Sequence, residues 1–200
     1  SGKKAPKVTL SQKTDYPVGG RIEIEVTPEK AATFMMSLRI PMWSALDRVK
    51  ATVNGEPLKV DAYGWLPILR EWKAGDKITL ELDMRGRLVE QNNYQAIQRG
   101  PVTLARDSRF GDGFVDETSV VEHKDGYVEL THVGSDFAWM AFTVPMKLGT
   151  DLEGSSAIKQ IHMCDFGSAG NTWERSIRYR VWLPKTLNVM KAPYVPYNRP

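Results

Sequence analysis

The sequence predicts an all-β protein, an antiparallel β-sandwich of jelly-roll-like type in two consecutive modules. The first observation is that Lys77–Met84 places apolar residues at every second position, with charged residues or threonine between them. Such alternation marks a strand with one face on a core and the other in water. The second is that turn signals such as Asn54–Pro57 and Lys73–Asp76 separate this segment from earlier strand candidates. Strands joined by short turns are typical of sandwiches and barrels.

The first module is expected to be a succession of short strands. The predicted strands are Lys7–Leu10, Arg21–Val26, Phe34–Ile40, Val49–Val53, Trp65–Glu71, Lys77–Met84, Arg85–Gln91 and Tyr94–Ala105. Every second residue from Phe34 to Ile40 is apolar and is expected to point inward. Pro101 cannot donate to a strand ladder, so Gly100-Pro101 is expected to mark a bulge or a strand start.

A change of composition divides the predicted modules. Asp107–Asp116 is rich in Gly and Asp and is interpreted as a linker or long loop. The first module then spans residues 1–106 and a second, smaller β module spans residues 117–183. The Pro-rich tail, residues 184–200, is expected to be extended. The strands predicted for the second module are Val120–Glu122, Tyr127–His132, Ala138–Val144, Ile158–Met163 and Ile177–Leu183.

Composition excludes several classes of partner. The chain has 200 residues, 42% hydrophobic and 26% charged, with a formal net charge of +3. These values are ordinary for a globular protein, and no block of like charges suggests nucleic-acid binding. No apolar run approaches the roughly 20 residues that span a bilayer, so no membrane partner is predicted. The sequence leaves the compartment undetermined.

A series of short motifs resembles the region that follows the catalytic barrel in glycoside hydrolase family 127, the β-L-arabinofuranosidase family. The motifs, in chain order, are Tyr16-Pro17 with the strand Arg21–Val26, Leu38-Arg39-Ile40-Pro41 with Trp43, Val53-Asn54-Gly55, Trp72 with Gly75-Asp76, and Gln98-Arg99-Gly100-Pro101-Val102. Beyond Arg106 the similarity thins, although Tyr179–Trp182 resembles the ending of some relatives. The resemblance implies a bacterial parent enzyme with its C-terminal β-sandwich region represented here.

The resemblance also implies chemistry that this chain lacks. The family's active site resembles a cysteine-rich zinc centre with a nucleophilic cysteine on an (α/α)6 barrel. Cys164 is the single cysteine here, and long segments of helical periodicity are absent from the sequence. We therefore expect no catalytic residue, cofactor or metal in this fragment, with zinc in the missing catalytic domain. The missing barrel of the same chain is the expected partner.

Aromatic residues are the candidates for contact with a glycan. Aromatic faces suit the C–H faces of sugars, and the candidate residues are Trp43, Tyr63, Trp65, Trp72 and Trp139. The competing interpretation, which we favour, is that these rings cap the sandwich core.

One other segment offers metal-capable side chains. His162, Cys164 and Asp165 lie close together, but a zinc site needs further ligands that no spacing supplies. A buried free thiol is favoured over a metal site. Asp165 is expected to accept from local N–H groups of the loop that follows it.

Three functions remain open. The favoured one is a non-catalytic accessory region that packs on and stabilises the missing barrel, with an apolar patch exposed in the isolated chain. The second is an independent carbohydrate-binding module, which a row of exposed aromatic rings would favour. The third is a self-contained hydrolase, which a carboxylate pair with shifted pKa values in a cleft would favour.

Overall fold

A computed structural model describes residues 7–149 and 157–185, and the chain divides into two compact units, Ser1–Met84 and Arg85–Pro200. All the strand pairs of the described residues are antiparallel. The named helical elements among the described residues are two 3-10 turns, Leu46–Arg48 and Ser108–Phe110. The all-β prediction is confirmed, and the finer jelly-roll description stays a prediction.

The first unit consists of two sheets. Its strands are β1 (Val8–Thr14), β2 (Arg21–Pro28), β3 (Ala32–Ile40), β4 (Lys50–Val53), β5 (Glu56–Leu58), β6 (Gly64–Trp72) and β7 (Asp76–Glu81). Five of them form a sheet in the order β1-β2-β7-β4-β5. The remaining two, β3 and β6, pair with each other in a separate two-stranded ribbon.

One hydrophobic core joins the sheet and the ribbon. Leu80 and Ile78 of β7 and Leu38 and Ile40 of β3 are buried in the same cluster. The predicted inward rows are therefore correct for these four residues, whereas Met84 of the predicted strand lies beyond β7 and outside the cluster. The buried members of the cluster are Val26, Leu38, Ile40, Val49, Ala51, Val53, Ile68, Trp72, Ile78 and Leu80. A sheet and a ribbon that share one core form the two layers expected of a sandwich.

The turn between β4 and β5 follows directly from its two central residues. Asn54 and Gly55 both have positive φ angles, 51° and 86°, and Val53 pairs with Glu56 across them. This is the turn that Asn-Gly favours in a two-residue hairpin. The sequence predicts the turn but not β5, because the three residues of β5 include Pro57 and are too few to show alternation.

The second unit is built on one sheet. Its strands are β8 (Gly86–Gln91), β9 (Tyr94–Arg99), β10 (Val102–Asp107), β11 (Ser119–Val121), β12 (Tyr127–Val128), β13 (Thr131–Val133), β14 (Ala141–Leu148), β15 (Lys159–Asp165), β16 (Tyr179–Arg180) and β17 (Leu183–Pro184). The main path of the sheet is β11-β14-β15-β10-β9-β8-β12, with β13 on β14, β16 on β10 and β17 on β9.

The boundary between the units lies at Met84, not near Asp107 as the sequence suggested. Three strands that we had assigned to the first module, β8 to β10, hydrogen-bond to later parts of the chain. Leu104 of β10 pairs with Asp165 of β15, and Gly86 of β8 pairs with Val128 of β12. The composition change at residues 107–116 marks a loop inside the second unit, because both of its ends belong to the same sheet.

Two predicted strands are each divided in two. Tyr94–Ala105 contains a tight turn at Gly100-Pro101, with Arg99 paired to Val102 and Gly100 at φ 56°. Tyr127–His132 likewise divides between β12 and β13. Of the predicted tail, residues 184–200, only residues 184 and 185 lie within the described part of the chain.

Candidate functional site

The ribbon of β3 and β6 carries an exposed face on which half of the residues are apolar. Antiparallel register sets Met35 opposite Leu69, Ser37 opposite Pro67 and Arg39 opposite Trp65. We call this surface the outer face of the ribbon. It consists of Thr33, Met35, Ser37, Arg39, Trp65, Pro67, Leu69 and Glu71, all of them exposed.

The exposure of the apolar side chains on the outer face is large. Met35 is 62% exposed, Trp65 64% and Leu69 71%. The guanidinium carbon of Arg39 lies 5.5 Å from the centre of the Trp65 ring. Isolated surface hydrophobic residues are normal, but adjoining ones mark interaction surfaces. The outer face is therefore a candidate interaction surface of the first unit.

A sequence signal for this face lies at the outward positions of β3 and β6. Alternation holds for the inner residues of β3 and β6, but Met35, Pro67 and Leu69 stand where polar residues would be expected on a water-facing side. Near-continuous apolar strands are typical of elements covered on both faces. Phe34-Met35-Met36 and Leu66–Leu69 show this pattern.

The five aromatic candidates do not form one platform. Trp65 and Tyr63 are exposed, and Trp43 is half-buried. Trp72 is fully buried and its Nε1 donates to the Phe34 carbonyl oxygen over 3.1 Å. Its assignment as a possible sugar contact is therefore wrong, because a ring inside the core presents no face to a ligand. Trp139 is exposed in the second unit.

A buried ionic cluster organises the loop after β10. Arg109 donates to the Asp107 carboxylate from its backbone N at 2.9 Å, from Nε at 2.9 Å and from Nη2 at 2.7 Å. The Gly170 backbone N donates to the same carboxylate over 2.8 Å. Burial alone would raise the pKa of Asp107, but these hydrogen bonds outweigh it and hold the pKa below its usual value. The arrangement is that of a structural anchor between two loops.

The second buried carboxylate is also engaged by backbone groups. Asp165 accepts from the Met140 backbone N over 2.9 Å and from the Ser168 backbone N over 3.0 Å. The expected capping of the following loop is confirmed. Asp107 and Asp165 are thus held by N–H donors, which is how folded proteins satisfy buried carboxylates.

Cys164 lies in a small hydrophobic cluster and is buried, as expected. Burial, with a further contribution from the charges of Asp107 and Asp165, raises its pKa to about 12. A thiol of that pKa is a poor nucleophile, since the thiolate is the reactive form. The described residues contain no group of three His, Cys, Asp or Glu side chains placed to hold a metal ion.

His162 has a partner of its own, the carboxylate of Asp112. Its Nδ1 lies 3.2 Å from Oδ2 of Asp112, and its ring stacks on Phe110 at 5.1 Å between centroids. The pair joins β15 to the loop after β10.

In the part of the chain that the structure describes, no helix is long and apolar enough to cross a membrane.

Comparison with known proteins identifies a relationship for the first unit. Residues 2–84 match the family model described as the middle domain of GH127 beta-L-arabinofuranosidases. The match ends at Met84, where the first compact unit also ends. The description names a middle domain, whereas the sequence analysis expected a C-terminal region, and the position within a longer protein stays a prediction. No curated protein matches the chain.

Solved structures are similar over most of the chain. A GH127 beta-L-arabinofuranosidase from Geobacillus stearothermophilus T6 is 20% identical, with a TM-score of 0.72, and the match covers 90% of this chain and 31% of that one. A glycoside hydrolase is 24% identical, with a TM-score of 0.71, and the match covers 88% and 32%. A GH127 beta-arabinofuranosidase is 23% identical, with a TM-score of 0.67, and the match covers 90% and 32%.

Because identities below 25% carry no argument beyond the fold, these likenesses establish only the fold, over about nine-tenths of the chain. The chain spans about a third of the length of these solved structures. The first unit is related to a GH127 domain, and solved glycoside hydrolases share the fold of most of this chain.

Proposed function

We propose that the chain is a non-catalytic accessory region of a bacterial glycoside hydrolase of β-L-arabinofuranosidase type, and that it packs on and stabilises an (α/α)6 catalytic barrel. The observation that carries this proposal is the match of residues 2–84 to a GH127 middle domain. The solved relatives extend over about three times the length that this chain covers. A parent protein of that size would have room for a catalytic domain. The family resemblance implies that this domain holds zinc.

The outer face of the ribbon is the surface that we assign to the barrel. Met35 and Leu69 are aliphatic and lie side by side, so they suit burial against another protein domain. Arg39 and Glu71 flank them and would form part of a polar rim. A saccharide would instead need hydroxyl-binding groups beside the ring of Trp65, and its cross-strand neighbour Arg39 already lies over that ring.

The non-catalytic part of the proposal follows from the groups available. The single thiol is buried with a raised pKa, and the buried carboxylates of Asp76, Asp107 and Asp165 all accept from backbone N–H groups. A glycosidase needs two carboxyl groups about 5 to 9.5 Å apart across a sugar site. The carboxylates of Glu23 and Glu81, which line a cavity of the first unit, are both paired with Arg21, so we favour the non-catalytic proposal over a self-contained hydrolase.

The experiment uses the parent glycoside hydrolase with its barrel present. Leu69→Lys would put a charge into the proposed contact and is expected to lower the melting temperature of the barrel by several degrees. Leu10→Lys is the matched control, because Leu10 is an exposed leucine of β1 outside the outer face. The isolated chain should not release nitrophenol from an aryl arabinofuranoside. Identical melting of the two variants, or hydrolysis by the isolated chain, would contradict the proposal.

A further inference from the structure

A second surface, in the second unit, has the composition of a small-ligand groove. It lies beside the hairpin of β8 and β9, where Asn92 and Asn93 form a two-residue turn between the paired Gln91 and Tyr94. The groove has a volume of about 330 Å³. Its lining residues are Gln91, Asn92, Tyr94, Arg180 and Trp182. Ligand pockets begin at about 300 Å³ and combine aromatic surface with a few polar groups.

Pairing between strands brings the two aromatic residues to this groove. Tyr94 opens β9 and pairs with Pro184 of β17, two residues after Trp182. Tyr94 is 42% exposed and Trp182 39%, so each ring is partly supported by the protein and partly open. Neighbouring Leu183 and Gln95 form the next pair and are both buried. The rings are therefore carried by backbone that is anchored in the core.

The charged groups beside the groove are paired with one another. Arg180 donates from Nη1 to the Asp116 carboxylate, and from Nε to the Trp182 carbonyl oxygen over 3.1 Å. Lys185 Nζ lies 2.6 Å from Oε1 of Glu90. Because each cation has an acidic partner, the groove offers no unpaired charge to an ionic ligand. What remains is aromatic surface with the side-chain amides of Gln91 and Asn92.

We propose that this groove binds a neutral saccharide of one or two sugar rings. A sugar presents an apolar C–H face to an aromatic ring and hydroxyl groups that both donate and accept. Side-chain amides also both donate and accept, so Gln91 and Asn92 match those hydroxyls. The paired charges disfavour acidic sugars, and the volume suits a short ligand. The site is distinct from the outer face of the ribbon, which belongs to the first unit.

The test is a titration of the 200-residue chain, followed by ¹H–¹⁵N NMR at the indole N–H signals. The probes are neutral arabino-, xylo- and manno-oligosaccharides, with an oligogalacturonate as the acidic comparison. Loss of one signal in Trp182→Phe identifies the indole of Trp182, which is expected to shift on addition of at least one neutral probe. No shift with any of them, or tighter binding of the oligogalacturonate, would overturn the proposal.

Variants decide whether the groove is the site. Trp182→Ala and Tyr94→Ala are each expected to weaken binding roughly tenfold or more, as removal of a central aromatic contact does. Gln91 is exposed, so Gln91→Ala tests the site without disturbing the fold. This variant should weaken binding several-fold. Trp173→Ala is the control, because Trp173 is 91% exposed and does not line the groove. Equal affinity in Gln91→Ala and Trp173→Ala would place the ligand elsewhere.

The choice of arabinose oligomers as probes rests on the proposed function. The assignment of the groove as a saccharide site does not depend on that function. If the parent is not an arabinofuranosidase, xylo- or manno-oligosaccharides would still bind through Tyr94 and Trp182. If the groove does not bind a saccharide, the expected difference in melting temperature between Leu69→Lys and Leu10→Lys is unaffected. The two failures are thus separable.

Discussion

Arg39 lies directly opposite Trp65 in the β3–β6 ribbon, and its guanidinium carbon stands 5.5 Å from the centre of the indole ring. Both side chains are on the exposed side of a ribbon whose other side is buried in the core. A cation above an exposed indole orders both groups at a modest gain, about 0.5–1 kcal/mol. Met35 and Leu69, which the Ser37–Pro67 pair separates from Arg39 and Trp65, remain as uncovered aliphatic surface.

We expect the isolated chain to self-associate at high concentration through the outer face of the ribbon. Uncovered adjoining apolar residues gain free energy when another surface removes them from water. Sedimentation velocity at increasing concentration should show a rising mean mass for the unchanged chain and a smaller rise for Leu69→Lys. Leu10→Lys should behave like the unchanged chain. Equal self-association of all three would show that the outer face is not the contact.

The face assignment of β7 can be tested by a pair of neighbouring substitutions. Leu80 is buried between Ile22 and Ala51 of the adjacent strands, whereas Thr79 points to the opposite side. Leu80→Ala should lower the free energy of unfolding by about 2–5 kcal/mol, the range for a buried leucine. Thr79→Ala should lower it by well under 1 kcal/mol. Urea titrations provide the values, and similar losses for both would mean that the register is wrong.

Asp107 is expected to be the most sensitive carboxylate of the second unit. Asp107→Asn removes the charge partner of Arg109 and one oxygen acceptor from a buried site. Breaking a buried ion pair costs about 3–5 kcal/mol. Glu90→Gln is the control, because Glu90 and Lys185 form an exposed pair whose loss should matter little. A loss in Asp107→Asn no greater than in the control would contradict the anchoring role.

The same residue predicts a dependence of stability on pH. The pKa of Asp107 is lowered in the folded chain, so its contribution is complete above the unfolded pKa of about 3.9. The contribution is lost as the pH falls through the lower, folded pKa. Urea titrations at steps from pH 5 down to pH 2.5 should therefore show a steeper loss for the unchanged chain than for Asp107→Asn. Parallel curves would rule out this linkage.

Cys164 should be inert in the folded chain. Burial raises its pKa to about 12, and the thiolate is the species that attacks disulfide reagents. DTNB at pH 8 should therefore modify one thiol rapidly in concentrated urea and only slowly in buffer. Cys164→Ala should leave no reaction in either condition. Equal rates with and without urea would mean that the thiol is accessible in the folded state.

Features set by neighbouring residues were predictable from the sequence. Alternation in β7 gave its buried row, and Asn54-Gly55 gave the hairpin turn, because strand facing and turn geometry depend on local backbone preferences. The family resemblance likewise rested on short local motifs. Trp72, Gly75 and Asp76 of one such motif have structural roles. Trp72 is in the core, Gly75 has a φ of 87°, and Asp76 accepts from the Lys73 backbone N.

Pairing between distant segments was not predictable in the same way. The sequence assigned β8 to β10 to the first module, because a strand's own residues do not reveal which other strand will satisfy its N–H and C=O groups. The pair Ala105–Cys164 joins segments that lie on either side of the predicted linker. Only the tertiary structure shows that the boundary between the two compact units lies at Met84. The groove at Tyr94 and Trp182 depends on a similar long-range pairing, between β9 and β17.

The two tryptophans of β6 show what the local sequence can and cannot predict about burial. Trp65 and Trp72 are seven residues apart in one strand, and the period of two puts them on opposite faces. The sequence by itself therefore determined that the two rings would differ in environment. Only the position of the five-stranded sheet decided that Trp72 would be buried and Trp65 exposed, because burial depends on which face of a strand another layer covers.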